Sequence, residues 1–382
     1  MAVSKSWSTE LEGLRGIASL WVLLGHICLL VNCHITLLSS PGIGVDLFIL
    51  LSGYLMTKNY VERKEKEPWN SGNTLKSFWT RRFFRIAPLY YVLLAVALAG
   101  GPWFGEMRDI ISASYSASST EASRYSDQSL GNILTHFSFI FGFLPHYAFN
   151  TVLPDWSIGL EMQYYLIFPF IMLLVMRVGF TGSLVALLAF CCVGRFILSD
   201  YYDAFRMPAM ILLKLNIFIS GMFLAEAVRR KKVAYVLLAL TGPLTTLVIL
   251  PDLIKLQVLM EVLMIVGIPL VLWPYRQGGL PQALIYWPRK ILNNPFSTWL
   301  GDVSYSVYLM HLMIVMPAIA ILLTRFDLNS HSDLTRFFIT AGICLPVVYL
   351  LSTLTYKFIE KPGIRLGKRV FVPTPAPQRE PG

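Results

Sequence analysis

Residues 12–31 read EGLRGIASLWVLLGHICLLV. Coiled at ~1.5 Å per residue, these twenty residues span the ~30 Å hydrocarbon core of a bilayer. Beyond Glu12 the run carries Arg15 and His26, which an ordinary buried helix would not tolerate unpartnered. Comparable apolar stretches follow at about 42–60, 87–104, 155–178, 180–199, 209–228, 233–250, 253–273, 296–323 and 335–358. Over the 382 residues 55 % are hydrophobic and 14 % charged, whereas a typical soluble domain carries about 25 % charged residues. So little charge cannot make a water-facing surface. The sequence therefore predicts an all-α, polytopic membrane helix bundle of about ten transmembrane helices, and excludes soluble, fibrous and disordered classes.

The net charge of +10 comes from short basic clusters between apolar runs, which reads as membrane orientation rather than nucleic-acid binding. Placing both termini in the cytoplasm puts most of the 32 Lys and Arg on the inner side, including the run between Lys58 and Arg85 and RRKK at 229–232. Residues 133–149, broken by His136, Pro145 and His146, are then expected to be re-entrant or interfacial rather than spanning. The expected organisation is one integral-membrane domain, 1–366, followed by a disordered cytoplasmic tail, 367–382. The first run lacks a small-residue cleavage pattern, so it reads as a retained span. The five cysteines show no disulfide or metal spacing, and no metal is expected.

Ionisable groups inside spans are costly and mark functional sites. Counting residues along each helix puts His26 and Glu161 ~21 Å, His311 ~22 Å and Asp46 ~24 Å from the inner face. Four titratable groups from four helices thus share one layer. Arg15 lies three turns before His26 on the same face but ~16 Å away in depth, which suits an extended ligand with a charged end and a reactive end. Arg81, Arg82 and Arg85 in RRFFR precede the third expected span, and arginine donors suit phosphate. Ser157, Glu161 and Tyr165 share one helix face, and Ser304, Tyr308 and His311 another.

In order along the chain, LEGLRGIASLWVLLGH, GVDLFILLSGYL, RRFFRIAPLYY, WSIGLEMQYYLIFP, SYSVYLMH and FIEKP resemble the motif blocks of the membrane acyltransferase 3 family, which O-acylates cell-surface glycans and some small molecules. The resemblance covers about residues 8–366. One departure is the fourth block, where Gly159 and Met162 leave Glu161 as the only carboxylate. Some relatives carry an additional extracytoplasmic esterase-like domain, which is not expected here.

The resemblance implies transfer of an acyl group, usually acetyl, from cytoplasmic acetyl-CoA to a hydroxyl of a glycan or glycolipid acceptor such as O-antigen, exopolysaccharide or lipo-oligosaccharide. It carries function onto Arg15, His26, Asp46, Ser52, Arg82, Arg85, Glu161, Tyr308 and His311. With the phosphates near Arg15, Arg82 and Arg85, and Arg81 adjoining, His26 is the expected general base. Glu161 or Asp46 would orient it, and His311 or Tyr308 would bond the thioester oxyanion. A covalent acyl-enzyme through Ser52 is a variant of this scheme. The rival class is a transporter or flippase of a glycan or lipid, which would move substrate without consuming acyl-CoA.

Overall fold

The computed structural model describes residues 9–121, 123–253, 255–273 and 280–370. These residues form helices and connecting turns, with no strand among them. The helices in chain order are α1 (Thr9–Leu30), α2 (Pro41–Arg63), α3 (Gly72–Ala99), α4 (Gly101–Ser114), α5 (Ser123–Ser126), α6 (Leu130–Phe137), α7 (Trp156–Val178), α8 (Phe180–Ile197) and α9 (Ser199–Asp203). They continue with α10 (Leu215–Arg230), α11 (Val233–Ala239), α12 (Thr241–Ile249), α13 (Lys255–Leu272), α14 (Leu280–Leu292), α15 (Pro295–Arg325), α16 (Asp333–Thr355) and α17 (Lys361–Val370).

Seven helical segments among the described residues are long and apolar enough to cross a membrane: α1, α3, α7, α8, α13, α15 and the continuous run of α16 and α17. The other expected stretches are also helical but differ in form. Residues 42–60 lie in α2, 209–228 contract to the 16-residue α10, and 233–250 divide into α11 and α12. The division falls just before Gly242 and Pro243, and proline belongs in the first turn of a helix because it has no N–H to donate. Residues 133–149 hold the end of the short α6 and a 3₁₀ turn over Ile140–Phe143, too little helix to span.

The basic segment differs from expectation. α3 starts at Gly72, so RRFFR lies inside a 28-residue helix rather than ahead of it. Arg82 lays its guanidinium beside the rings of Phe78 and Tyr165, 5.6 and 5.5 Å away. An arginine can thus enter a helix near the membrane edge by keeping its stem and face on aromatic groups. Of the expected tail, 367–370 form the end of α17 and 371–382 lie outside the described residues.

Peripheral helices turn large apolar side chains outward: on α8, Phe190 and Phe196 are 57 % and 76 % exposed. In water such a face would drive aggregation, whereas lipid is its natural solvent. At the centre, α1 packs between α15 and α2, and α2 packs on α10. The α1–α15 contact depends on glycine. A methyl group added at Gly301 would lie 2.2 Å from Glu12 O, and one at Gly16 would lie 2.9 Å from Gly301 N. Without hydrophobic drive between helices in lipid, such small residues let two backbones pack closely.

Candidate functional site

From this glycine contact α1 and α15 run side by side to a histidine pair. His311 is fully buried and His26 partly so. His311 Nε2 lies 3.1 Å from His26 Nδ1, and the ring centroids are 4.9 Å apart. Each Nδ1 also faces a backbone carbonyl of its own helix: His26 Nδ1 is 2.9 Å from Val22 O, and His311 Nδ1 is 2.7 Å from Tyr308 O. Carbonyl oxygens only accept, so in the neutral pair each Nδ1 carries the hydrogen. His311 Nε2 then presents its lone pair to the hydrogen on His26 Nδ1. His26 Nε2, for which no hydrogen-bond partner lies among the described residues, is the basic nitrogen.

Next to this pair α1, α2, α7, α10 and α15 form a cavity open on one side, lined by Arg15, Ser52, Glu161, Ser157, Tyr305 and Tyr308, with apolar walls that include Phe48 and Phe218. Tyr308, one turn before His311, ties the cavity to the histidines. Its hydroxyl donates to Pro154 O at 2.8 Å and pairs with Ser157 Oγ at 2.6 Å. Farther along the wall, Ser52 Oγ donates to Glu161 Oε1 at 3.0 Å, and the same oxygen accepts from Tyr165. At the opposite end Arg15 pairs with Glu12 at 3.1 Å.

The structure thus brings His26, His311 and Tyr308 together, and Tyr308 shares a cavity with Ser52, Glu161 and Arg15. It separates others. Asp46 is fully buried, but its carboxylate accepts from Lys214 Nζ at 2.6 Å and from Gln257 Nε2 at 2.5 Å, and no hydrogen bond joins it to either histidine. Lys214 reaches a second buried carboxylate, Glu261, at 3.8 Å. Depth alone placed Asp46 with the histidines; its side chain points instead toward α10 and α13. Arg81 is held by Glu67, at 3.2 and 2.7 Å, on the turn before α3.

Arg82 follows Arg81 directly in α3, and Arg85 lies about one turn farther on. Buried Arg82 Nε has no hydrogen-bond partner, an unspent donor of the kind an anion would take up. Half-buried Arg85 has Tyr165, Glu360, Glu12 and Glu161 as the groups whose charges act on it. Glu360, in FIEKP, lies in a π-helical turn over Tyr356–Glu360 and accepts from Ser306 Oγ at 3.0 Å. Such single π turns concentrate at functional sites.

Several residues escaped the sequence reading. Lys214 and Glu261 are ionisable groups in apolar stretches, so the rule that singled out Asp46 also marks them. Glu12, three residues before Arg15 on one helix face, had a readable signal in that spacing. Tyr165, by contrast, was legible as sharing a face with Ser157 and Glu161, and its hydroxyl donates to Glu161.

The acyltransferase domain family matches residues 8–356. The chain belongs to this acyltransferase family. It is 30 % identical over 176 residues to the peptidoglycan O-acetyltransferase OatA of Listeria monocytogenes, an overlap of 46 % of this chain and 25 % of that protein. A Staphylococcus aureus protein named as an O-acetyltransferase is 27 % identical over 385 residues, 92 % of this chain and 56 % of that one. A membrane-bound transacylase of Komagataeibacter xylinus, BcsY, is 30 % identical over 174 residues, 45 % of this chain and 39 % of that protein. The chain therefore spans about a quarter to about half the length of these relatives. No solved structure matches. Family membership and the lipid-facing helices make this a multi-pass membrane protein.

Proposed function

We propose that the protein is a membrane O-acyltransferase that moves an acyl group, most simply acetyl, from cytoplasmic acyl-CoA to a hydroxyl of a surface glycan or glycolipid in a bacterial inner membrane. The observation that carries the reading is the histidine pair: two backbone carbonyls and His311 fix the tautomer of His26 and leave its Nε2 as the basic nitrogen, and Tyr308, one turn before His311, lines a cavity that also holds Arg15.

Arg15, Arg82 and Arg85 would take the phosphates of the donor, because guanidinium forks match phosphate oxygens. The cavity then receives the acyl-bearing arm between Phe48, Ser52, Glu161 and Tyr308. His26 Nε2 removes the hydroxyl proton as the acceptor oxygen attacks the thioester carbon. A C–O bond forms, the C–S bond breaks, and the proton passes from His26 to the departing thiolate, leaving an ester and a free thiol. His311 Nε2, accepting from His26 Nδ1–H, stabilises the imidazolium formed midway, the part a carboxylate plays in a hydrolase triad. Ser157, whose hydroxyl hydrogen can rotate from Tyr308 onto the thioester oxygen, would support the developing oxyanion. Glu161 meets Ser52 and Tyr165 rather than His26, so it serves here to order the cavity wall.

The test incubates purified protein in detergent with radiolabelled acetyl-CoA and membrane glycolipids, beside His26→Ala. Label in the glycan fraction only with intact His26 is expected. Failure of the wild-type protein either to bind or to consume acetyl-CoA would overturn the proposal.

A further inference from the structure

Two arginines beyond the histidine pair are absent from the scheme above. Arg124, on α5, is 6 % exposed. Its Nε donates to Thr151 O at 3.1 Å, and its planar face lies 3.7 Å from the centroid of the Phe149 ring and 5.3 Å from that of Tyr125. Arg108, on α4, is partly buried and donates from Nε to Ser118 O at 2.5 Å. Among the described residues neither makes an ion pair with a carboxylate. The carboxylate that acts on Arg124, Asp155, has its Oδ2 engaged by Thr151 Oγ1 at 3.0 Å and Tyr90 at 3.2 Å, with His136 at 3.6 Å. Burial holds both guanidiniums below their ordinary range.

Both arginines connect to the histidine end of the site. Ser118, which accepts from Arg108, donates to Leu29 O, three residues past His26 on α1. Thr151, which accepts from Arg124, precedes Pro154, the acceptor for Tyr308. Tyr125 reaches Met316 of α15. The charges of Arg124 and Arg108 act on each other and on the His26 ring. α4 and α5 pack together, with Gly105 against Tyr125, so the two guanidiniums are carried on neighbouring helices and partly withdrawn from water, where an anion joining them would be stabilising.

We propose that Arg108 and Arg124 are a receptor for an anionic group, carboxylate or phosphate, carried by the acceptor close to the hydroxyl that is acylated. The inference rests on the acyltransferase reading for its location and names the acceptor class: an acidic glycan rather than a neutral one. The geometry suits the task. With Nε anchored and the ring plane clamped by Phe149 and Tyr125, Arg124 keeps its two terminal nitrogens for a bidentate contact. An anion held there fixes the sugar relative to His26 Nε2, which is how distant binding energy positions a reacting hydroxyl.

Calorimetric binding to the full-length protein in detergent tests this without turnover. The probes are tetragalacturonate, its carboxyl-reduced counterpart, and an oligosaccharide of the same length bearing one phosphate. At least one anionic probe is expected to bind about tenfold or more tightly than the neutral one, a difference of about 1.4 kcal/mol; which one does so identifies the source of the anion. Arg124→Gln and Arg108→Gln should each remove most of that preference, and Arg124→Lys should keep part of it. Should Arg124→Gln fail to fold, as its melting curve would show, Arg108→Gln and Arg124→Lys carry the test. Equal affinity for all three probes, or a preference unchanged in the folded variants, overturns the receptor. Acid-selective binding without acetyl transfer would instead overturn the enzymatic reading, and transfer without acid selectivity only this one.

Discussion

His26 Nδ1 and His311 Nε2 lie 3.1 Å apart, and each histidine stands ten residues past the glycine, Gly16 or Gly301, at which their helices touch. Equal rise along two neighbouring helices carries the register of the glycine contact to the histidines. The backbone contact at one level thus sets the side-chain contact at the other.

His26→Ala is expected to lower kcat for acyl transfer by about 10²- to 10⁴-fold, the usual share of a general base, with the melting curve in detergent unchanged. His311→Gln, which can still accept from His26 Nδ1–H, should keep more activity than His311→Phe. If Gln and Phe fall equally, His311 does not orient His26 by that bond. Steady-state kinetics on purified variants decide.

Gly301→Ala puts a methyl group 2.2 Å from Glu12 O, so α1 and α15 must separate. Overpacking of this kind costs about 1–3 kcal/mol. Loss of transfer activity should exceed what that destabilisation explains, because the separation is passed on to the histidine pair. A variant that melts early yet transfers normally would show that the pair tolerates a wider crossing.

Arg81 and Arg82 are adjacent in sequence and opposite in expectation. Arg82→Gln should raise the KM for acyl-CoA about tenfold, the loss of one charge-assisted contact of ~1.5 kcal/mol. Arg81 is bound by Glu67 on the neighbouring turn, so Arg81→Gln should leave that KM close to the wild-type value. Donor titrations at saturating acceptor measure both, and equal effects would remove the distinction.

Lys214→Met strips the cation from Asp46 and Glu261, and a buried ion pair broken on one side typically loses about 3–5 kcal/mol. The double change with Asp46→Asn should recover part of the loss, since the nearer of the two carboxylates no longer carries a charge. Thermal melting in detergent reads both; no recovery would mean that Lys214 supports something other than Asp46.

The sequence made the helical bundle legible because lipid imposes one rule on every span: about twenty apolar residues, with polar groups rationed. Depth was legible too, because the rise per residue is fixed, and His26, His311, Glu161 and Asp46 were assigned one layer on that basis. What one chain does not encode locally is azimuth. Which way Asp46 turns depends on where α10 and α13 pack, and they bring Lys214 and Gln257 to it from 168 and 211 residues away. Glu161 is likewise claimed by Ser52 of α2. His26 and His311 meet because their glycines fix two neighbouring helices in register, a pairing that spacing within one helix could not reveal.

The Asp46–Lys214 bridge also sets a timetable for biogenesis. At synthesis rates of about 5–20 residues per second, the 168 residues between them take roughly 10–30 s to emerge. Throughout that interval the second helix carries a carboxylate whose cation has not yet been made, and a bare charge is a poor passenger in lipid. Until α10 arrives that carboxylate is tolerated only if it is protonated or kept against protein or water, so completing the bridge with Lys214 is what lets it enter the bundle as an ion.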